Sequence, residues 1–537
     1  MSAVPSTATG ADHVAARLKS AGATHAFGIP GGEVLALVDA LERAGIRVRL
    51  ARHENAAGFI AEGLWHATGA LPVLLTTIGP GVSNAITAVA HAQQDRVPLI
   101  VLTGCLDTAL AETFTHQVFD HQAVLRPLVK ASFRAAPGTQ ALVIEKAVAI
   151  ALSGRPGPVH VDLPVAVMEA EAGPVPARAS PERPGPVAGG LDHAVEILAR
   201  ARRPLVIAGL DVVNEGSAAD LDRLLARWKA PLLTTYKAKG VLPETDQRVI
   251  GGVGLSPRAD AAIGPLLAGA DAILLAGYDP IEMRQGWRQP WPASTPVVDL
   301  VASDVQHGMH ASTVLAEGHV GTALRRLAER LPALQGWPDD APARVRARLA
   351  DIFTPTADWG PGVAFKILRD AAPAATIATA DSGAHRILLS QTWTCDGPRR
   401  LLQSTGLCTM GCALPLAIGA ALGAGKPVLC VVGDAGLEMV AGELATARDL
   451  AVPVVVAVMV DRSLGLIDLK QRQSGLPTAA VEIGGTDFSA VARGFGLVGE
   501  TVADATALGH AARAAFARPG VTVIACEIGP RAYDGAF

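Results

Sequence analysis

The stretch CVVGDAGLEMVAGELATARDLAVPVVVAVMVDRSLG, residues 430–465, decides the reading of the fold. It holds two apolar runs that each stop at an aspartate, the first at Asp434 within Gly433-Asp434-Ala435-Gly436 and the second at Asp461. Unbroken Val/Ile/Leu runs, without alternation, mark parallel strands covered on both faces. Residues 436–450 carry a helical pattern, so the stretch predicts a strand, a helix and a second strand over residues 452–460. In such sheets ligands sit beyond the carboxyl ends of the strands, where loops meet helix N-termini. The aspartates are 27 residues apart, about one helix plus one strand, which sets them on neighbouring strand ends. Gly433 and Gly436 let the backbone approach an anion and aim N–H groups at it. Two carboxylates there suit a hard cation such as Mg²⁺, joining them to phosphate oxygens. The same residues equally suit two ordinary turns in which each aspartate caps the next helix.

Outward from this unit the same alternation continues. PVLLTTIGPG, VPLIVLTG and PGPVHVDLP precede a Pro/Ala/Gly-rich linker at 169–190; RPLVIAGL, APLLTT, DAILLAGYD and TPVVDLV lie between it and a second seam at 331–346; TIATADSG, KPVLCVVGD, VPVVVAVMVD and GVTVIACEIG follow. At roughly 100–200 residues per domain the chain makes about three. The expected fold class is therefore α/β, with three doubly wound parallel-sheet domains in series over residues 1–170, 188–335 and 350–537.

Composition fits large buried cores: half of the 537 residues are hydrophobic and 18% are charged. A net charge of −4 without a basic stripe argues against nucleic acid as a partner. The first residues lack the basic and apolar regions of a signal peptide, and no apolar run reaches the ~18–20 residues that span a bilayer, so a cytoplasmic protein is expected, with no membrane partner. The six cysteines are scattered; Cys408 and Cys412 lack companions for a zinc set, and all six are expected to be small buried thiols.

A third carboxylate comes from ARHENAAGFIAEGLWHATG, residues 51–69. Glu54 opens an Ala/Gly-rich helix whose Ala56, Ala57, Phe59, Ile60 and Leu64 imply burial. A carboxyl group at a buried helix start can move protons; it can also simply favour the helix dipole. Together RHENAAGFIAEG, FGIPGGEV, TTIGPGVSN, GLCTMGCALPLAIGAAL and the Gly-Asp-x-Gly motif with its partner 27 residues on resemble, in order and along essentially the whole chain, the thiamine-diphosphate enzymes of the acetolactate synthase, benzoylformate decarboxylase and pyruvate oxidase family.

The resemblance implies pyrimidine-binding, central and diphosphate-binding domains, thiamine diphosphate and Mg²⁺ as cofactors, and decarboxylation of a 2-oxo acid. It implies that Glu54 hydrogen-bonds N1′ of the aminopyrimidine. Asp434 and Asp461 would bind Mg²⁺ with the Ser463 carbonyl, and Met410 would hold the cofactor bent, with the Cys408 carbonyl accepting from its 4′-amino group. Gly383, Ala384 and His385 in DSGAHR, and Gly433, Ala435 and Gly436, would lie along the diphosphate. The resemblance also implies a homodimer or homotetramer with active sites across the dimer interface.

Within the family, Asp461 in place of the commoner Asn, the stretch FTHQVFDHQAVLRPLVKASFRA with Gln117 facing the reacting centre, and LLAGYDPIEM are similar to the catabolic acetolactate synthases, so FAD is not expected. The implied reaction joins the carbanion formed from pyruvate or a related 2-oxo acid to an aldehyde or ketone acceptor. A decarboxylase or carboligase of the benzoylformate decarboxylase or benzaldehyde lyase kind is the alternative. Arg462-Ser463-Leu464 departs from the Gly-Tyr usual after the metal aspartate, and DSGAHR lacks the aromatic that often follows its histidine. Arg462 and Asp468 are either specificity elements or solvated loop charges.

Overall fold

The computed structural model describes residues 8–110, 113–173, 191–304 and 307–537. The linker expected at 169–190 lies outside the described residues from 174 onward. Among the described residues there are three six-stranded sheets, and every ladder in them is parallel. The first contains β1 (His25–Ile29), β2 (Arg47–Leu50), β3 (Val73–Thr76), β4 (Ile100–Cys105), β5 (Ala131–Arg134) and β6 (Val159–Pro164), in the order β2-β1-β3-β4-β6-β5. The central sheet has β7 (Pro204–Ala208), β8 (Leu232–Thr234), β9 (Val249–Gly252), β10 (Ala272–Ala276), β11 (Val297–Val301) and β12 (Val314–Glu317), ordered β12-β11-β10-β7-β8-β9. The third has β13 (Ala378–Ala380), β14 (Leu401–Gln403), β15 (Val428–Gly433), β16 (Val454–Val460), β17 (Val498–Val502) and β18 (Val521–Glu527), ordered β14-β13-β15-β16-β18-β17. Three doubly wound α/β units in series is thus the architecture.

The apolar runs are double-sided. Val428, Cys430 and Val432 of β15 point into one core while Leu429 and Val431 point into another, and Val206 and Ile207 of β7 divide in the same way. With helices on both faces, each such strand loses apolar surface to water on both sides, worth roughly 25 cal/mol per Å².

The first and third sheets share a core. Helix Glu54–Thr68 crosses helix Ala413–Ala424 so closely that a Cβ on Gly63 would overlap the Leu416 carbonyl oxygen, and one on Gly419 the Ile60 carbonyl oxygen. Both helices are buried nearly along their length, as the small side chains of Ala56, Ala57, Ala61, Ala417, Ala420 and Ala421 require. His53 caps the first helix by accepting from the Asn55 N–H (3.1 Å), and Gly69 ends it in the left-handed conformation.

A buried polar knot ties all three sheets together. Asp95 of the first accepts from the backbone N–H groups of Thr405 (2.9 Å) and Leu407 (3.3 Å) of the third, and pairs with Lys237 of the central unit. Its other neighbour is His91 (3.2 Å), which also meets Glu62 (2.8 Å). Burial works against ionisation, yet His91 and Lys237 pull the Asp95 carboxyl down to about 2.

The single helix expected over 436–450 is instead two, Asp434–Glu438 and Glu443–Asp449. The backbone between them tightens into i→i+3 bonds, Val440 N–H to Leu437 O and Glu443 N–H to Val440 O, with the two donors on either side of Gly442, a weak helix former. The strand after them starts at Val454, beyond Pro453.

Candidate active site

In a sheet wound in two directions the crevice opens where the strand order reverses. In the third sheet that point lies between β13 and β15, and the chain leaves these strands at Asp381 and Asp434. Asp381 is fully buried; its Oδ1 pairs with His385 Nε2 (2.8 Å) and its Oδ2 accepts from the Gly411 N–H (2.7 Å). Gly436 lies so close to this carboxylate that a Cβ there would overlap Oδ2. A Cβ on Gly433 would sit 3.4 Å from the His385 ring. Gly383 caps helix Ala384–Thr392, placing Ala384 in its first turn.

Asp434 and Asp461 do stand at adjacent strand ends, since Gly433 of β15 is in register with Met459 of β16. Asp434 accepts from the N–H groups of Ala435 (2.8 Å) and Arg462 (2.7 Å), and Asp461 from that of Ser463 (3.2 Å). Both are buried, and among the described residues no lysine or arginine side chain pairs with either. Burial, and then the charge of Asp434, push the Asp461 carboxyl up to about 7; burial also raises that of Asp434. Two buried carboxylates that repel each other and lack a cationic side chain fit a divalent hard cation. Ser463 forms a bridge with Glu482 whose hydrogen bonds run from its neighbours, Leu464 N–H to Val481 O and Ile483 N–H to Arg462 O.

The 404–411 loop joins this group. The Thr409 N–H donates to Ser404 Oγ (2.9 Å) and the Ser382 N–H to Thr409 O (3.1 Å). The loop presents a half-buried Met410 and Cys408 at φ +55°. Cys408 is exposed, which corrects the expectation that all six thiols are buried; the Arg386 guanidinium (3.5 Å) reaches its sulfur. Asp468 is not a solvated loop charge either: it is buried in helix Gly465–Gln473 and paired with Arg472 (2.9 Å). Arg462 is exposed at φ +57° and faces Glu527 (3.3 Å).

A second group lies on the first sheet. The buried Glu54 carboxylate accepts from Asn84 Nδ2 (3.0 Å) and lies beside Gly81, near the start of the helix Pro80–Gln94 that follows the turn after β3. Gly79 of this turn abuts the backbone of Gln117, an exposed residue at φ +59°. The Gly79 N–H donates to His121 Nε2 (3.3 Å), and His121 Nδ1 is 2.9 Å from Asp162 Oδ1. Sequence reasoning missed Asp381, Asn84, His121 and Asp162; only the Asp381/His385 spacing of four, one helical turn, signals a pair beforehand. Glu54 and the Asp434–Asp461 pair share no hydrogen bond or ion pair among the described residues.

Comparison with known families matches residues 8–124 to the thiamine pyrophosphate enzyme N-terminal TPP binding domain, 191–331 to the central domain and 381–526 to the C-terminal TPP binding domain. A probable 2-ketoarginine decarboxylase from Pseudomonas aeruginosa is 33% identical over 528 residues, covering 94% of this chain and 92% of the relative. The chain belongs to the thiamine pyrophosphate enzymes of the acetolactate synthase group. Other members include the acetolactate synthase isozyme 3 large subunit of Escherichia coli, 30% identical with 91% of this chain and 89% of the relative covered. The acetolactate synthase of Bacillus subtilis is 29% identical, with 96% and 92% covered. The two groups described above fall one in each TPP binding domain of this thiamine pyrophosphate enzyme, Glu54 in the N-terminal and Asp434 with Asp461 in the C-terminal. No helix among its described residues is long and apolar enough to cross a membrane.

Proposed function

We propose that this enzyme uses thiamine diphosphate and Mg²⁺ to decarboxylate pyruvate or a related 2-oxo acid and to join the product to a second carbonyl compound, as an acetolactate synthase does. The observation that carries the cofactor reading is the buried Asp434–Asp461 pair, without a cationic partner among the described residues, one residue past the strand ends of a TPP binding domain. When bound, thiamine diphosphate supplies the electron sink for decarboxylation. Asp434, Asp461 and the Ser463 carbonyl hold Mg²⁺. Gly383, Ala384, His385, Gly433, Ala435 and Gly436 line the diphosphate, with Asp381 fixing the His385 ring. Met410 and the Cys408 carbonyl position the pyrimidine end. Glu54, held by Asn84, carries a proton to or from N1′, and Gln117 faces the substrate across the Gly79 turn.

Glu54 and the Mg²⁺ carboxylates come from different copies in this reading, so the working unit is a homodimer or a homotetramer. The reading places the enzyme in the cytoplasm and, from the GYDPIEM segment, leaves FAD out; flavin absorbance in the purified holoenzyme would refute that last element.

A decarboxylase that releases an aldehyde without ligation is the second reading, favoured by the 33% identity to a probable 2-ketoarginine decarboxylase. Incubation with a panel of 2-oxo acids, 2-ketoarginine included, with and without added aldehydes, separates the two. Carbon–carbon coupled product from pyruvate supports the first, aldehyde alone supports the second, and no turnover of any 2-oxo acid by cofactor-loaded protein overturns both.

A further inference from the structure

The central sheet holds a third cluster of ligating side chains, apart from the groups assigned above. Asp299 lies within β11, buried. Its Oδ2 accepts from Ser312 Oγ (3.2 Å) and lies 3.0 Å from His310 Nε2, while its Oδ1 is buried with no hydrogen-bond partner among the described residues. The His310 ring packs against Tyr278 (5.5 Å) and Trp291 (5.4 Å), and the ring of His307 lies 4.5 Å away. One ligand atom from each of Asp299, His307 and His310 lies within 4.8 Å of the other two, the only such group of three among the described residues.

Among the described residues the ion pair of Asp299 is with an imidazole, that of His310. Three buried aspartates of the central unit, Asp211, Asp279 and Asp299, lie around Arg155. Arg155, reaching over from the first sheet, lies 3.3 Å from Asp211 and 3.6 Å from Asp279, and Arg96 lies 2.8 Å from Asp279. Neither guanidinium forms an ion pair with Asp299 among the described residues. A buried carboxylate oxygen with no donor is costly, and a cation on that side removes the cost.

We propose that Asp299, His307 and His310 form a binding site for one divalent transition-metal ion of the Zn²⁺ type. Two imidazoles with one carboxylate suit Zn²⁺ rather than Mg²⁺, which keeps to oxygen ligands. Metal–ligand bonds of ~2.0–2.2 Å require the three donors to draw together, and His307, exposed on its loop, has the freedom to do so. Water fills the remaining position. The ion pins the segment after β11 to the sheet. That segment begins with Ala302, whose N–H donates to Asp211 (3.1 Å), the carboxylate that receives Arg155. The metal therefore strengthens the seam between the central and first sheets and takes no part in the reaction.

The test strips the full-length enzyme with a chelator, reloads it with thiamine diphosphate and excess Mg²⁺, and titrates it with Zn²⁺ alone. Bound zinc is counted after gel filtration, and thermal melts are recorded. The wild type should retain one Zn²⁺ per chain and melt higher with it. His307→Ala, at an exposed position that leaves folding intact, should bind at least about tenfold more weakly and lose the melting shift, since even outer-shell losses cost 10–100-fold. Asp461→Ala should keep the zinc, which separates this site from the carboxylates of the third sheet. No zinc retained by the wild type, or equal retention by His307→Ala, overturns the proposal.

Discussion

Glu54 and the Asp434–Asp461 pair have separable duties, because one touches Asn84 on the first sheet and the others stand on strand ends of the third. Glu54→Gln keeps size and hydrogen bonding to Asn84 but loses the exchangeable proton. We expect turnover to fall by at least ~10²-fold, the scale of general acid–base catalysis, with thiamine diphosphate retained; steady-state rates alongside cofactor binding check this. Asp434→Ala or Asp461→Ala should instead weaken cofactor retention, seen as activity restored only by excess Mg²⁺ and thiamine diphosphate.

Glu282, in the GYDPIEM segment, gives a pH effect on stability. It is buried, its Oε1 accepts from the Lys237 N–H (3.0 Å), and burial pushes its carboxyl up to about 7. A carboxyl raised in the folded state stabilises fully below its unfolded value of 4.5 and loses that contribution as pH rises through about 7. Glu282→Gln preserves the acceptor and removes the titration. It should match the wild type near pH ~4 and exceed it by up to about 3 kcal/mol near pH ~8, measured as denaturation midpoints at both pH values.

At the level of elements, the crossing of helices Glu54–Thr68 and Ala413–Ala424 leaves no room at its glycines. Gly419→Val forces a branched side chain onto the Ile60 carbonyl and should cost about 1–3 kcal/mol or more, read from urea unfolding. The interior strands were legible in the sequence because each is an apolar run covered on both faces, as in VLCVVG and VVVAVMV. The strands that went unread were β1 and the outermost pair of every sheet: β2, β5, β9, β12, β14 and β17. An outermost strand has a neighbour on one side only, so it carries residues such as Arg47 and Arg49 in RVRL, or Glu317 in VLAE, and stays short. Of β1, His25 and Gly28 blur an otherwise buried core. The candidate site was legible where a motif coincides with a strand end, as at Asp434 and Asp461. His121 and Asp162 come from separate segments and meet only through the winding of the sheet, which no local pattern encodes.

For the whole molecule, the proposed division of each active site between two copies has a direct test. Assayed without excess Mg²⁺ and thiamine diphosphate, Glu54→Gln and Asp434→Ala chains are each expected to be inactive. Unfolded together and refolded at equal amounts, half of the dimers are mixed, and each mixed dimer regains one intact site. Recovery of about a quarter of wild-type activity is expected, against none if each chain completes its own site.

The first and third sheets follow the same winding, and the two crossing helices occupy matching places in it, each between the second and third strands of its sheet. Gly63 of one meets a carbonyl of the other, and Gly419 returns the contact. Two units of like winding thus meet through a reciprocal contact written into a single polypeptide. A side chain added on either helix therefore meets the backbone of the other rather than open space, so room at the crossing is made only by moving both.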